Sequence, residues 1–354
     1  MASQPGLRCG AACLAALVLA ACGTPTVVPL PAPLPVAVPV PPPNLPPVGQ
    51  VLGRNERFVI YQPVAGDTLR SIAERFLGGA SNDWIIRDFN GILEARPEQP
   101  LAVPLGHPNP VGVRAGQVQT VPILCYHRFG AGTGATTSKM VVSAGNFAAQ
   151  LDWLARNDYR VLPLSQLQGF LEGRQPLPQR SVVITFDDGY ESVHRHALPL
   201  LRRYGFPATL FVYTDFIGAS DALSWAQLKE LVASGLVDVQ AHSKSHRNLI
   251  ERETGETDER HRQMIELEAR TPRDLLERQL DVRISQFAYP YGDADQAVLD
   301  TLGRQRYQMG LTVIPGGNAF YAQPLMPRRT MIYGDLDLAG FKAKLQTARA
   351  YVAP

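Results

Sequence analysis

The sequence predicts an α/β fold, either a barrel or a doubly wound sheet, preceded by a small module of two strands and two helices. Two observations carry this. From Val118 onward, apolar runs of strand length alternate with amphipathic stretches. The runs are Val121–Tyr126, Val182–Phe186, Thr209–Val212, Val237–Gln240, Gln286–Tyr289 and Met309–Val313; between them lie Phe147–Arg156, Val193–Tyr204, Trp225–Ser234 and Arg260–Gln279. This is the pattern of repeated βα units. Polar clusters also fall just behind several of the runs, where barrels place their catalytic groups. With 354 residues, 45% hydrophobic and 19% charged, the chain can bury a large core and is not globally disordered. Its 34 Lys and Arg against 32 Asp and Glu leave +2. That is too even for a protein built to bind nucleic-acid phosphates.

Taken in order, the chain begins with Arg8 and an uncharged stretch of small and apolar residues from Gly10 to Ala21. The stretch is too short to span a bilayer but suits a signal-peptide core. It ends in Leu19-Ala20-Ala21-Cys22-Gly23, which resembles a bacterial lipobox. The resemblance implies removal of residues 1–21 and acylation of Cys22, hence an exported protein lipid-anchored in the cell envelope and facing the periplasm. Residues 22–52 read as an extended tether: 11 of the 30 prolines lie between Pro25 and Pro47, and no charge occurs from Thr24 to Gln50. Of the four cysteines, Cys125 is then the single thiol left in the mature globular part.

Residues 53–106 form the small module. Phe58–Tyr61 suits a strand, and Asp67 can cap a helix whose apolar residues Leu69, Ile72, Ala73 and Phe76 recur at three and four. Trp84, Ile85 and Phe89 suggest a second helix, and Leu101–Val103 a closing strand. This order, with Gly66-Asp67-Thr68-Leu69 and Asn90, resembles a LysM module, which implies a shallow groove for the glycan of peptidoglycan. A linker, 107–117, leads to the large domain, 118–350.

That domain carries the chemistry. Ser181-Val182-Val183-Ile184-Thr185-Phe186 runs into two adjacent carboxylates, Asp187 and Asp188, with Gly189 allowing a tight turn. Val237–Gln240 leads into Ala241-His242-Ser243-Lys244-Ser245-His246. Two histidines four apart can share a metal, and one carboxylate added to them leaves coordination positions open for water and substrate. Adjacent aspartates cannot point the same way from a strand end, so one can bind the ion and the other act as a base. Such a site suits metal-assisted hydrolysis of a carbonyl compound, because a divalent ion brings the pKa of its water from about 15.7 to about 7.

Thr185-Phe186-Asp187-Asp188-Gly189 followed by His242-Ser243 and His246 resembles the signature of polysaccharide deacetylases of carbohydrate esterase family 4, the NodB-homology domain. The resemblance implies a distorted (β/α) barrel of about seven strands, with Asp187 as general base and Asp188, His242 and His246 as ligands of one divalent ion. Zinc suits that set first; cobalt, nickel or iron also fit. It implies an N-acetylglucosamine polymer as substrate and acetate as product. Phe287-Ala288-Tyr289-Pro290-Tyr291-Gly292 matches the family stretch in which the residue after proline offers its main-chain N–H to the oxyanion, here Tyr291. Ala288 stands where the family has an arginine beside the base, and Arg328 or Arg329 could replace it from another loop. Tyr289, Trp225 and Arg328 are candidate sugar contacts.

The family's late histidine motif is missing, since no histidine follows His261. Instead Pro122-Ile123-Leu124-Cys125-Tyr126-His127 ends an apolar strand in a histidine able to protonate the leaving amine. This resembles a permuted branch of the family that includes poly-β-1,6-N-acetylglucosamine deacetylases. His127 is therefore the expected acid. His194 and His196 are expected at the rim or in solvent, and His261 on an exposed helix. Two other classes compete: an inactive glycan-binding lipoprotein, and a glycosidase using Asp187 and Asp188 as an acid/base pair, which would need no metal and carboxylates at least about 5 Å apart. Labelled palmitate should enter the wild-type protein and not Cys22→Ser; equal labelling of the two refutes the lipid anchor.

Overall fold

The structure is a computed structural model describing residues 48–106, 109–136 and 139–350. The expected signal peptide, Cys22 and most of the tether lie outside the described residues. Among those described, no helix is long and apolar enough to cross a membrane.

The small module contains the expected strand, two helices and strand, with one more strand in front. Strands β1 (Gln50–Arg54), β2 (Phe58–Gln62) and β3 (Leu101–Pro104) form an antiparallel sheet in the order β1-β2-β3. Helices α1 (Leu69–Leu77) and α2 (Asp83–Asn90) cover it, burying Val59, Tyr61, Ile72, Ala73, Ile86, Leu101 and Val103 together. The cap of α1 is Thr68 rather than Asp67: Thr68 and Ser71 exchange the two hydrogen bonds of a capping box. Asp67 instead accepts from the Tyr61 hydroxyl at 2.8 Å and the Val64 N–H at 3.0 Å, which ties the helix entry to β2. Asn90 joins α2 to β3 by exchanging hydrogen bonds with both main-chain groups of Ala102.

The large domain is built on seven parallel strands: β4 (Val121–Tyr126), β5 (Ser181–Phe186), β6 (Ala208–Val212), β7 (Val237–Ala241), β8 (Gln286–Ala288), β9 (Met309–Leu311) and β10 (Thr330–Met331). They run in sequence order from β4 to β9, and the last of them, β10, pairs with the first, β4. The gap between β9 and β10 is bridged by the segment before β10, where Pro324 and Pro327 carbonyls accept from the Gly310 and Thr312 N–H groups. The α/β barrel expected from the alternation is therefore the curled form and not the doubly wound one.

Side chains alternate across each strand. Val121, Ile123, Val183, Phe211, Ala288, Met309 and Leu311 share the inner cluster with a helix, Leu164–Leu171, that packs against them. Leu124, Tyr126, Val182, Ile184, Phe186, Leu210, Val212, Val239, Ala241 and Phe287 face the outer helices, including α3 (Trp225–Ala233) and α4 (Asp258–Leu280). Register aligns the carboxyl ends: Thr185 with Cys125, Val212 with Ala241, Ala241 with Phe287, and Ala288 with Leu311. His127 and Asp187 thus leave neighbouring strands, and His242 leaves β7 beyond the intervening β6, all on one rim and continuing the inward-facing set.

Module and barrel are joined by charge. Arg160 donates to both oxygens of Asp83 on α2, at 2.9 and 2.8 Å, and the Gln179 N–H donates to Asp88 at 3.0 Å. Asp83 is buried. A bidentate bond to a partly buried carboxylate contributes about 1.5–3 kcal/mol. Asp83→Ala should lower unfolding stability by that amount and open the connection between the two parts to protease, read by limited proteolysis against the wild type; unchanged cleavage would show that the contact does not hold them.

Candidate active site

The first feature on the rim is a buried ion pair. Arg329, fully buried, donates to both oxygens of Asp187, at 2.7 and 2.8 Å. Its Nε donates to the Thr312 carbonyl at 2.9 Å, and its guanidinium lies over the Phe211 ring. The Cys125 thiol reaches Asp187 Oδ2 at 3.4 Å. Burial alone would raise the Asp187 pKa, but the Arg329 charge outweighs it and holds the carboxyl below its ordinary range. Asp187 is therefore an ionised, oriented carboxylate. Its folded-state stability contribution is present at neutral pH and is lost as pH falls through that lowered value.

The second feature is a convergence of acceptors. Asp188 sits at φ +73° and Gly189 at +91°, a left-handed turn that brings the Asp188 carboxylate back over the rim. A side chain at Gly189 would also press on Val212. Asp188 Oδ1 lies 3.4 Å from His242 Nε2 and 3.3 Å from His246 Nε2. His242 Nδ1 faces the Ala288 carbonyl at 2.8 Å. A carbonyl only accepts, so Nδ1 carries a hydrogen, and in the neutral imidazole Nε2 presents its lone pair toward Asp188. Asp188 Oδ1 is buried with no hydrogen-bond partner. Two imidazole nitrogens around an orphaned carboxylate oxygen leave room for a cation among the three, and two imidazoles with one carboxylate are a donor set for zinc-like ions. The two aspartates draw positive charge to this point, whether a proton or an ion: burial opposes charge on both groups, yet the imidazoles hold Asp188 well below its usual range, and Asp187 with Asp188 raises His242.

Cys125, His127 and Asp187 also bring ligand atoms within 4.8 Å of one another. They make a poor metal site, because Arg329 occupies both Asp187 oxygens and burial pushes the Cys125 thiol well up, keeping it protonated. His127 is thus placed beside Asp187. Burial lowers its pKa, against the pull of Asp187 and Asp188.

Residues 174–310 match the family model described as Polysaccharide deacetylase. That segment is similar to polysaccharide deacetylases, and it holds Asp187, Asp188, His242 and His246. The chain is similar to the poly-β-1,6-N-acetyl-D-glucosamine N-deacetylase of Escherichia coli (strain K12), 26% identical over 211 residues that make up 50% of this chain and 31% of that protein. The enzyme of the same name from Staphylococcus aureus (strain MRSA252) is 27% identical over 190 residues, 51% of this chain and 65% of that one. The chain thus spans less than two thirds of either relative. The solved structure of IcaB from Ammonifex degensii superposes with a TM-score of 0.55 at 28% identity, over 64% of this chain and 97% of that chain.

The barrel brings Asp187, Asp188, His242, His246 and His127 to one rim, and Tyr291 to its edge. Tyr291 is 61% exposed, at φ +62°, with its ring 4.9 Å from that of His246. Its N–H makes no main-chain hydrogen bond among the described residues. One alternative is decided and two expectations are corrected. Of Arg328 and Arg329, it is Arg329 that meets Asp187. Register sets Thr330 beside outward-facing Leu124, so Arg329 turns inward while Arg328 is exposed with its guanidinium toward the Pro315 carbonyl. Tyr289 is not a sugar contact: it is fully buried, and its hydroxyl donates to the Leu325 carbonyl at 2.8 Å. His261 is buried, facing Glu256 at 3.1 Å, because it falls on the inner stripe of α4. Trp225 is half-buried against the outer core at the start of α3. His194 is at the surface, where its Nε2 meets Glu230 at 2.7 Å.

Residues not singled out from sequence also border the site. Tyr190 and Tyr213 stand near Asp188; burial, and then its charge, raise both hydroxyls, Tyr213 to about 12. Glu268 of α4 holds the loop that carries His246. Its signal was available: it interrupts the apolar stripe Ile265, Ala269, Pro272 and Leu276, so a carboxylate faces inward. Arg329→Met should cost about 3–5 kcal/mol in denaturant unfolding, since it strands a buried carboxylate. The Asp187 pKa would then rise, so the acid limb of any activity should move to higher pH. An unmoved limb would show that Asp187 is not the base.

Proposed function

We propose that the protein removes acetyl groups from an N-acetylglucosamine polymer of the cell envelope, with poly-β-1,6-N-acetylglucosamine as the favoured substrate. The observation that carries this is the pairing of a neutralised, buried base with an adjacent acceptor triad: Asp187 held by Arg329, beside Asp188, His242 and His246. The names of the E. coli and S. aureus relatives support the choice of polymer. The residues fit one divalent ion, zinc first, which when bound would supply Lewis acidity to the acetamide carbonyl and to water.

The chain's own groups do the rest. Asp187 takes a proton from the attacking water; its lowered pKa keeps it free to do so at neutral pH. The unengaged Tyr291 N–H receives the developing oxyanion, a role worth about 3–4 kcal/mol for such donors. His127, neutral at rest because burial disfavours its charged form, needs a proton before it can act as an acid. Asp187, with an oxygen within 4.8 Å of the His127 ring nitrogen, can return the proton it has collected. His127 then passes it to the departing amine. The lipobox-like Leu19-Ala20-Ala21-Cys22 supports attachment to a membrane facing the periplasm, and the Gly66-Asp67-Thr68-Leu69 pattern of the small module supports peptidoglycan contact.

Acetate release should be seen from β-1,6-linked N-acetylglucosamine oligomers and exceed that from chitin oligomers or peptidoglycan fragments. Chelation should abolish it and zinc restore it. His127→Ala should lower turnover by about 10²–10⁴-fold with metal content unchanged, while an activated acetate ester, whose leaving group needs no proton, should be hurt far less. Loss of metal in His127→Ala would make it a ligand, and full activity after chelation would overturn the metal reading.

A further inference from the structure

The loop after β7 holds two of the three acceptor residues by different means. His242 is one residue past the strand, buried, and locked by the Ala288 carbonyl. His246 lies out on the loop, and the chain reaches it through two non-glycine residues in left-handed conformations, Ser243 at φ +73° and His246 itself at +62°. Left alone, such a segment would relax to ordinary backbone angles and swing the imidazole away from Asp188. Something must hold it.

The holding group comes from the middle of α4. Glu268, buried, accepts from the Lys244 N–H at 2.9 Å, the Ser245 N–H at 2.8 Å and the Ser245 hydroxyl at 2.7 Å. One side chain thus takes two successive main-chain donors and a hydroxyl from the residues between Ser243 and His246. Those donors point inward only when the backbone adopts the left-handed turn, so the carboxylate selects that turn over its alternatives. The His246 N–H closes the loop on the Ser243 hydroxyl at 2.9 Å, and the Asp215 N–H donates to the Lys244 carbonyl at 2.9 Å.

We propose that Glu268 is a positioning residue for the metal centre: by clamping Lys244 and Ser245 it fixes the His246 imidazole against Asp188 and so sets the affinity for the ion. This rests on the metal-site reading above. Groups that orient metal ligands from behind typically account for about 10–100-fold in affinity. A neutral amide at 268 can still accept the two N–H groups while the Ser245 hydroxyl turns to accept, so Gln should keep part of the effect.

The test is zinc affinity, measured on purified full-length proteins by competition with a chromophoric chelator, with no substrate present. Glu268→Ala should bind zinc about 10–100-fold more weakly than wild type, and Glu268→Gln should fall between them. Leu276→Ala, a cavity in the same helix remote from the loop, should lower the melting temperature and leave zinc affinity unchanged. Wild-type affinity in Glu268→Ala overturns the proposal; should that variant not fold, wild-type affinity in Glu268→Gln does so. Equal weakening by Leu276→Ala also overturns it, since the effect would then be general loss of stability. A wild type that binds no zinc overturns the metal reading itself and this proposal with it.

Discussion

Everything on the rim depends on the ion pair between Arg329 and Asp187. Its charges are buried at the end of the inner core, where an unpaired charge would be costly. Arg329 meets that demand with a flat, two-pronged donor set that a lysine could not reproduce. The same guanidinium reaches Thr312 beyond β9, so the group that neutralises Asp187 also ties the two edges of the sheet together. Barrel closure and neutralisation of Asp187 are one event.

The sequence made the site legible where chemistry follows a strand directly. Asp187, Asp188, His242 and His127 each stand within two residues of a buried run, and parallel register brings such positions together without further information. It was silent where the answer depends on partners far along the chain. Arg328 and Arg329 are adjacent, and which of them faces inward is decided by pairing with Leu124, some two hundred residues earlier. Tyr289 and Tyr291 differ in the same way: one hydroxyl finds a carbonyl inside the fold, the other residue lies on a turn at the rim. At the module, Asp67 and Thr68 are both acceptable caps, and only the approach of Tyr61 shows why the aspartate is used elsewhere.

Backbone strain is concentrated at the rim. Of the eight non-glycine residues with positive φ among those described, four are Asp188, Ser243, His246 and Tyr291. Each costs of the order of 1–3 kcal/mol, and each redirects a polar group that the adjoining strand would otherwise carry away from the rim. The surrounding elements offset that cost. The rim is consequently an assembly of turns that the barrel holds in shape, not a set of preferred local conformations.

Closure by the last strand bears on how the chain becomes a folded protein. During synthesis the pairs between β4, β5, β6 and β7 can form early, because they are sequential neighbours in the sheet. The segment carrying Arg329 emerges only after nearly all of the domain. Until then Asp187 has a hydrophobic interior beneath it and no counter-charge, and one edge of β4 is unpaired. A partly made chain is thus disfavoured from sealing the inner core, and long-range closures of this kind are slow. Asp187 acts in this way as a check on completeness: the barrel becomes stable when its final strand arrives, and at that moment the buried carboxylate acquires its counter-charge.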